Sequence, residues 1–239
     1  MRKIEYRDLG RIDYQEAWDY QQSLLKQVVE VKVANYRLSK QNLPTTNIPK
    51  NFLLFCEHPP VYTLGKSGSM DHLLLNAQEL KDKEITFHKI NRGGDITFHG
   101  PGQVVGYPIF DLDQFFTDVH KYVRFLEEVV IRTLADFGLE GTRIKGFTGV
   151  WFRGENGLPN RKICAIGVHL SRWVTMHGFA FNVDTDLNFF NFIIPCGIND
   201  TNKTVTSLVK ELGHPVDIER VKRQLKFHFS NLFEFTYEE

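Results

Sequence analysis

The chain has 239 residues, enough to bury a full hydrophobic core and short enough to form one domain without a linker. Charge balances at 29 basic against 29 acidic residues, which argues against the global field that draws in nucleic acid or an anionic membrane. No run of 18 apolar residues occurs, and Met1-Arg2-Lys3-Ile4-Glu5-Tyr6 lacks the apolar stretch of a secretory signal, so the expectation is a cytoplasmic protein that does not span a membrane.

From Tyr14 the apolar residues Ala17, Trp18, Leu24, Leu25, Val28 and Val29 fall mainly at helical spacing and predict an amphipathic helix to about Arg37. Leu43 to Asn51, with two prolines, reads as an exposed loop. Strand-like runs follow at Phe52 to Cys56, Val61 to Leu64, Ile85 to Ile90 and Val104 to Phe110. Thr117 is placed to cap a second helix on which Tyr122, Leu126, Val129, Val130, Thr133 and Phe137 share a face, and Gly138 supplies its stop. Further strands are predicted at Gly149 to Phe152, Lys162 to Leu170 and Val174 to Val183; the turn residues from Gly154 to Asn160 join the first two as a hairpin. A third helix, Asp217 to Phe233, carries Ile218, Val221, Leu225, Phe229 and Leu232 in one stripe. Strands gathered in the middle of the chain and flanked by separate helices suggest an α+β fold, and without an internal repeat the whole of 1–239 reads as a single domain.

Chemistry concentrates in a few segments. Arg92-Gly93-Gly94-Asp95-Ile96-Thr97-Phe98-His99-Gly100-Pro101-Gly102-Gln103 puts four glycines and a proline into twelve residues directly after a strand. Such a loop lets backbone N–H groups approach a carbonyl, carboxylate or phosphate without Cβ obstruction; a connecting loop with two tight turns has the same composition. Nucleotide fingerprints fail, because Pro60 stands where a P-loop ending in Gly65-Lys66-Ser67 needs a glycine, and Gly106 falls one residue too late after Gly100-Pro101-Gly102 for a dinucleotide site. His99 and His177 each precede a glycine at a strand edge, but neither has a partner at metal-ligand spacing.

Three cysteines without a C-x-x-C pair argue against a disulfide framework or zinc site and predict free thiols. Cys56 and Cys164 lie in apolar strand runs, where a thiol acts as a small hydrophobe. Cys196, between Pro195 and Gly197 at the end of a hydrophobic run, sits where a loop can expose its sulfur. A thiol with the ordinary value of about 8.5 is only ~3% thiolate at pH 7, so a nucleophilic cysteine needs a cation or base beside it. Lys162 opens an otherwise apolar strand and is one candidate for such a cation, the plainer reading being a lysine that caps the strand end in solvent; a unit charge at ~4 Å and an effective dielectric of ~20 contributes about 4 kcal/mol, ample against about 1.4 kcal/mol per pKa unit. Strand alternation places Lys162 and Cys164 on one face, so local spacing does not choose between Cys164 and Cys196.

Taken together, the Arg92 to Gln103 loop, Lys162-Ile163-Cys164-Ala165-Ile166-Gly167, His177-Gly178-Phe179-Ala180-Phe181-Asn182-Val183 and Pro195-Cys196-Gly197-Ile198 resemble the lipoyl (octanoyl) transferase family. Glu57-His58-Pro59-Pro60-Val61-Tyr62-Thr63-Leu64-Gly65 and Val205-Thr206-Ser207-Leu208 extend the resemblance over nearly the whole chain. It implies the biotin/lipoate protein ligase catalytic fold, a mixed β-sheet flanked by helices. The implied reaction moves octanoyl from octanoyl-acyl carrier protein to a lysine of the lipoyl domains of 2-oxoacid dehydrogenase E2 subunits and of the glycine cleavage H protein, without cofactor or metal.

By the same resemblance Cys196 is the acyl-thioester nucleophile and Lys162 lowers its pKa and shuttles protons. Arg92, Gly93, Gly94, Asp95, Ile96, Thr97, Phe98, His99, Ala165, Ile166, Gly167, Gly178, Phe179 and Ala180 line the acyl pocket, and Cys164 is left to packing. The family tends to carry aliphatic residues at the positions of Phe179 and Phe181, a departure that bears on acyl-chain length. Basic Arg143, Lys145 and Arg172 suit an acidic carrier, although loop charges are ordinarily just solvated. The alternatives are an ATP-dependent lipoate or biotin protein ligase and a non-catalytic module that binds acyl groups or the carrier protein.

Overall fold

The computed structural model describes residues 2–45, 47–155, 157–194 and 202–238. In chain order the elements are β1 (Arg2–Arg11), α1 (Tyr14–Lys40), β2 (Phe52–Glu57), β3 (Val61–Leu64), α2 (Ala77–Asp82), β4 (Thr86–Lys89), β5 (Ile96–His99), β6 (Gln103–Ile109), α3 (Val119–Ala135), β7 (Thr142–Ile144), β8 (Phe147–Phe152), β9 (Asn160–Ser171), β10 (Val174–Asn182), β11 (Lys203–Val205), α4 (Leu208–Leu212), α5 (Ile218–Phe233) and β12 (Phe235–Tyr237).

The large sheet runs β12-β1-β2-β6-β10-β9-β8-β7, with β11 joined to β9. β1 is parallel to both β12 and β2, and β11 is parallel to β9, while the central strands pair antiparallel, so the sheet is mixed. A small sheet, β4-β3-β5, carries the glycine-rich loop.

Alternation along the central strands divides the core into two layers. Leu53, Phe55, Val104, Phe179 and Phe181 face α3 and α5, where Leu126, Val129, Val130, Leu225, Phe229 and Phe233 complete the larger cluster. Phe52, Leu54, Cys56, Val105, Tyr107 and Ala180 belong to a cluster with Ala17, Leu24 and Val28 of α1. Helices therefore cover both faces.

The sequence leaves β1 unforeseen because its ten residues are mostly charged and only Ile4 is fully buried; backbone pairing to β2 and β12, rather than an apolar pattern, makes it a strand. Asp118, not Thr117, caps α3, accepting from the Lys121 N–H at 2.9 Å. Part of the glycine-rich stretch is also a strand, since β5 pairs with β3 from Val61↔His99 to Leu64↔Ile96. Among the described residues no helix is long and apolar enough to cross a membrane.

Candidate active site

The glycine-rich loop is bound to the sheet by its first residue. Arg92 donates from Nη2 to the Thr63 carbonyl at 2.7 Å and to Thr63 Oγ1 at 2.9 Å, and from Nη1 to the Gly93 carbonyl at 3.0 Å. Beyond Cys164, where β8 has diverged, the Gly93 N–H donates to Val168 O at 2.9 Å and holds the loop against β9. The approach is close enough to require glycine at 167: a Cβ there would lie 2.8 Å from Gly93 O and 3.0 Å from Arg92 Cδ.

This contact bounds a cavity of about 580 Å³. Arg92, Gly93, Gly94, Asp95, Ile96, Thr97 and His99 line it from the loop side, and Ala165, Ile166, Gly167, Gly178, Phe179 and Ala180 from the paired strands β9 and β10. Lys162 lines the same cavity. Phe98 does not: its ring stacks on Phe189 at 4.6 Å in an aromatic cluster with Tyr62. Cys196 lies outside the described residues. Phe179 and Phe181 direct their rings to the helix layer, where Phe179 meets Phe55 at 6.0 Å and Phe229 at 5.9 Å, leaving Ala180 opposite Ala165 as the small side chains of the cavity side.

A β-bulge decides which residue accompanies Lys162. Trp151 pairs with Lys162 and Val150 with Cys164, so Ile163 is an extra residue and simple alternation breaks. Ile163 and Cys164 both enter the core under α3 and α5, whereas Lys162 reaches the cavity. The expectation that Lys162 and Cys164 share a face is thus overturned. Cys164 is fully buried opposite Phe181, and burial pushes its thiol well above the ordinary range, which leaves it inert. Cys56 is buried and raised in the same way. Lys162 Nζ lies 4.6 Å from the centre of the Trp151 ring.

Polar side chains behind the cavity form a continuous chain. His99 Nδ1 lies 2.8 Å from Gln103 Oε1, Gln103 Nε2 donates to Asn182 Oδ1 at 2.8 Å, and Asn182 Nδ2 donates to Thr206 O at 3.0 Å. The Thr206 N–H in turn donates to Lys162 O at 2.9 Å. With its oxygen as acceptor, Gln103 holds the proton of His99 on Nδ1. Nearby, His58 Nε2 meets Tyr107 OH at 2.8 Å and its Nδ1 meets Ile12 O at 2.8 Å. Burial lowers all three neighbouring imidazoles: His58 to about 4, His177 to about 3 with Arg92 adding to the effect, and His99 well below its ordinary value with His58 adding to it. These histidines are neutral at physiological pH. His177 also holds a left-handed backbone at φ 59°, costly for a non-glycine residue in a strand and fixed by hydrogen bonds from its N–H to Gln21 Oε1 at 3.0 Å and between Nε2 and Asn91 Oδ1 at 2.8 Å.

Arg143 is tied to α3 within the chain. It donates to Glu127 at 2.9 Å, Glu128 at 2.8 Å and Arg124 O at 3.0 Å, and with Arg124 and the Gly149 N–H it satisfies the fully buried Glu127 carboxylate. Among the described residues no group of three His, Cys, Asp or Glu side chains is placed to hold a metal ion.

The lipoyl protein ligase A/B catalytic domain matches residues 13–230 of the chain. The chain belongs to that family. Within it, the octanoyltransferase of Flavobacterium johnsoniae is 56% identical over 234 residues, covering 98% of this chain and 97% of that protein. The octanoyltransferase of Cytophaga hutchinsonii is 55% identical over 231 residues, covering 97% and 93%. Among solved structures, lipoate-protein ligase A bound with ATP has a TM-score of 0.66 at 15% identity over 100% of this chain and 87% of that one. A bi-partite lipoate protein ligase from Thermoplasma acidophilum gives 0.66 at 16% identity over 100% and 87%. At such identities the likeness speaks for the fold alone, which is that of the biotin/lipoate protein ligase catalytic domain. Gln103 and Asn182 also line the cavity, and Trp151 stands beside Lys162, although sequence reasoning passed over all three. The signal for the first two was a polar side chain at the end of an apolar strand run; Trp151 gave none, because its value comes from the strand opposite.

Proposed function

We propose that the whole chain acts as one catalytic domain in the cytoplasm, moving an octanoyl group from acyl carrier protein to a lipoyl-domain lysine through a thioester on Cys196. Octanoyl transfer is the activity of relatives more than half identical to it over nearly all of its length, and it makes this chain an acyltransferase of protein lipoylation. The observation that carries the residue assignment is Lys162, a cation from an otherwise apolar strand run, lining the same cavity as the glycine-rich loop and the Ala165–Ala180 pair.

In the first half-reaction the Cys196 thiolate attacks the octanoyl thioester carbonyl. The new C–S bond forms as the bond to the carrier thiol breaks, and Lys162 gives its proton to that leaving sulfur. In the second, the neutral amine of the acceptor lysine attacks the acyl-Cys196 carbonyl, an amide forms, the Cys196 thiolate leaves and the amine's proton goes to the now neutral Lys162. The cycle ends with thiolate and ammonium restored. Exchange of one thioester for another is nearly isoenergetic, so no nucleotide is consumed before the amide forms. Burial of six methylenes at ~0.8 kcal/mol each offers about 5 kcal/mol for binding the tail. The acceptors are the lipoyl domains of 2-oxoacid dehydrogenase E2 subunits and the glycine cleavage H protein.

Intact-mass measurement after incubation with octanoyl-acyl carrier protein tests this reading. The wild type gains one acyl adduct and Cys196→Ala gains none; equal adducts on both proteins would remove Cys196 from the reaction. Lys162→Met slows acylation near neutral pH and moves its acid limb upward.

A further inference from the structure

Lys162 and Trp151 are direct neighbours across β8 and β9, brought to one face by the bulge at Ile163. The indole is 2% exposed and held from two sides: its Nε1–H donates to Phe147 O at 3.2 Å, and the Phe147 ring stands edge-on to it at 6.1 Å. A rigid, dry aromatic face 4.6 Å from an ammonium favours the charged form of that ammonium, because the ring quadrupole replaces part of the hydration lost on leaving water. Indole is the strongest of the natural aromatic faces for this purpose.

We propose that Trp151 is a positioning residue for Lys162: its face holds the ammonium at the cavity and keeps it charged as the pH rises, so that the proton donor of the acylation step is in place. This rests on the assignment of Lys162 to the acyl-transfer step made above. Trp151 touches neither substrate nor nucleophile in this role and acts only through Lys162. The elements packed around this stretch of β9 bring other charged and titratable groups, each with a partner of its own. Arg161 pairs with Glu211 of α4 at 2.7 Å, Lys203 of β11 lies 4.3 Å from the Phe147 ring, Glu127 of α3 is bound by Arg124 and Arg143, and His99 is tied to Gln103. Cys164, behind the strand, is held as a neutral thiol.

The test is the pH profile of single-turnover acylation by octanoyl-acyl carrier protein, read by intact mass, with fluorinated tryptophans placed at position 151 alone. Fluorine withdraws the negative charge of the ring face while keeping its shape, so the fold is retained. The alkaline limb moves down in steps with fluorine number, by about one pH unit for the tetrafluorinated ring, which is about tenfold in rate above the limb. Trp151→Leu moves it in the same direction, and Trp151→Phe restores part of the loss. An alkaline limb absent from the wild type, or one that stays in place through the fluorinated series, overturns the proposal. Lys162→Met separates the two levels: if that variant keeps the wild-type profile, the assignment of Lys162 itself fails, whereas a changed Lys162→Met profile beside an unmoved fluorinated series defeats only the role of Trp151.

Discussion

The two faces of the central sheet are built from the same strands and meet opposite physical demands. Along β10, Phe179 and Phe181 enter a layer of phenylalanine rings from β2, α5 and the segment after β6, with Phe229 of α5 within 6.5 Å of Phe55, Phe110 and Phe179. Ala180 and Asn182, one residue along, face a cavity bordered by small side chains and backed by buried polar groups. The helix face is stabilised by apolar area, which tolerates changes of shape by repacking. The cavity face depends on satisfying each buried donor and acceptor, where one missing partner is felt in full.

Breaking that contrast should give effects of decreasing size. Phe229→Ala, at the centre of the aromatic layer, lowers unfolding free energy by about 3–5 kcal/mol in urea titrations while activity per folded molecule is retained; a selective loss of acyl transfer would mean that the two faces are coupled.

Acid should act on the other face first. His58, His99 and His177 are held neutral when folded, but in the unfolded chain an imidazole titrates at about 6.5, so below that pH the unfolded state binds protons that the folded state refuses. The stability they contribute is complete above about pH 6.5. It is lost as pH falls towards about 4 for His58 and about 3 for His177, at about 1.4 kcal/mol per pH unit for each histidine in its window. Urea titrations at stepped pH should show this slope, less one share in His58→Gln, and Phe229→Leu should shift the curve without changing the slope.

Asn182→Ala takes one of two acceptors from Gln103 Nε2, which keeps Phe98 O at 3.2 Å, and removes the side-chain donor to Thr206 O, at a cost of about 1–3 kcal/mol. Because Thr206 N–H supports the backbone of Lys162, the rate of acylation should fall more than carrier-protein affinity. The smallest effects sharpen the comparison between adjacent residues. Phe181→Leu should cost about 1–1.5 kcal/mol and leave the preferred acyl length unchanged, whereas Ala180→Leu, on the cavity side, should shift transfer towards acyl groups shorter than octanoyl in competition assays. Equal length preferences in these two variants would show that the tail does not run past Ala180.

The sequence by itself determined the long amphipathic helices, the apolar central strands and the segments that carry the chemistry, because helical and strand periodicities are local and the family motifs are contiguous. It also marked Lys162 as a cation needing explanation. Tertiary structure decided what those residues face. The one-residue bulge at Ile163 is invisible in an apolar run, yet it sends Lys162 to the cavity and Cys164 to the core, so the two do not share a face. Phe98 is likewise inside the loop motif but outside the cavity wall, its ring stacked instead on Phe189 from a distant segment. β1 became a strand through β2, some fifty residues on, and β12 near the C-terminus, and Trp151 gained its place beside Lys162 from the opposite strand. Residue types and periodicity are written along the chain; register, bulges and the partner across a strand depend on pairing between distant segments, which no local pattern encodes.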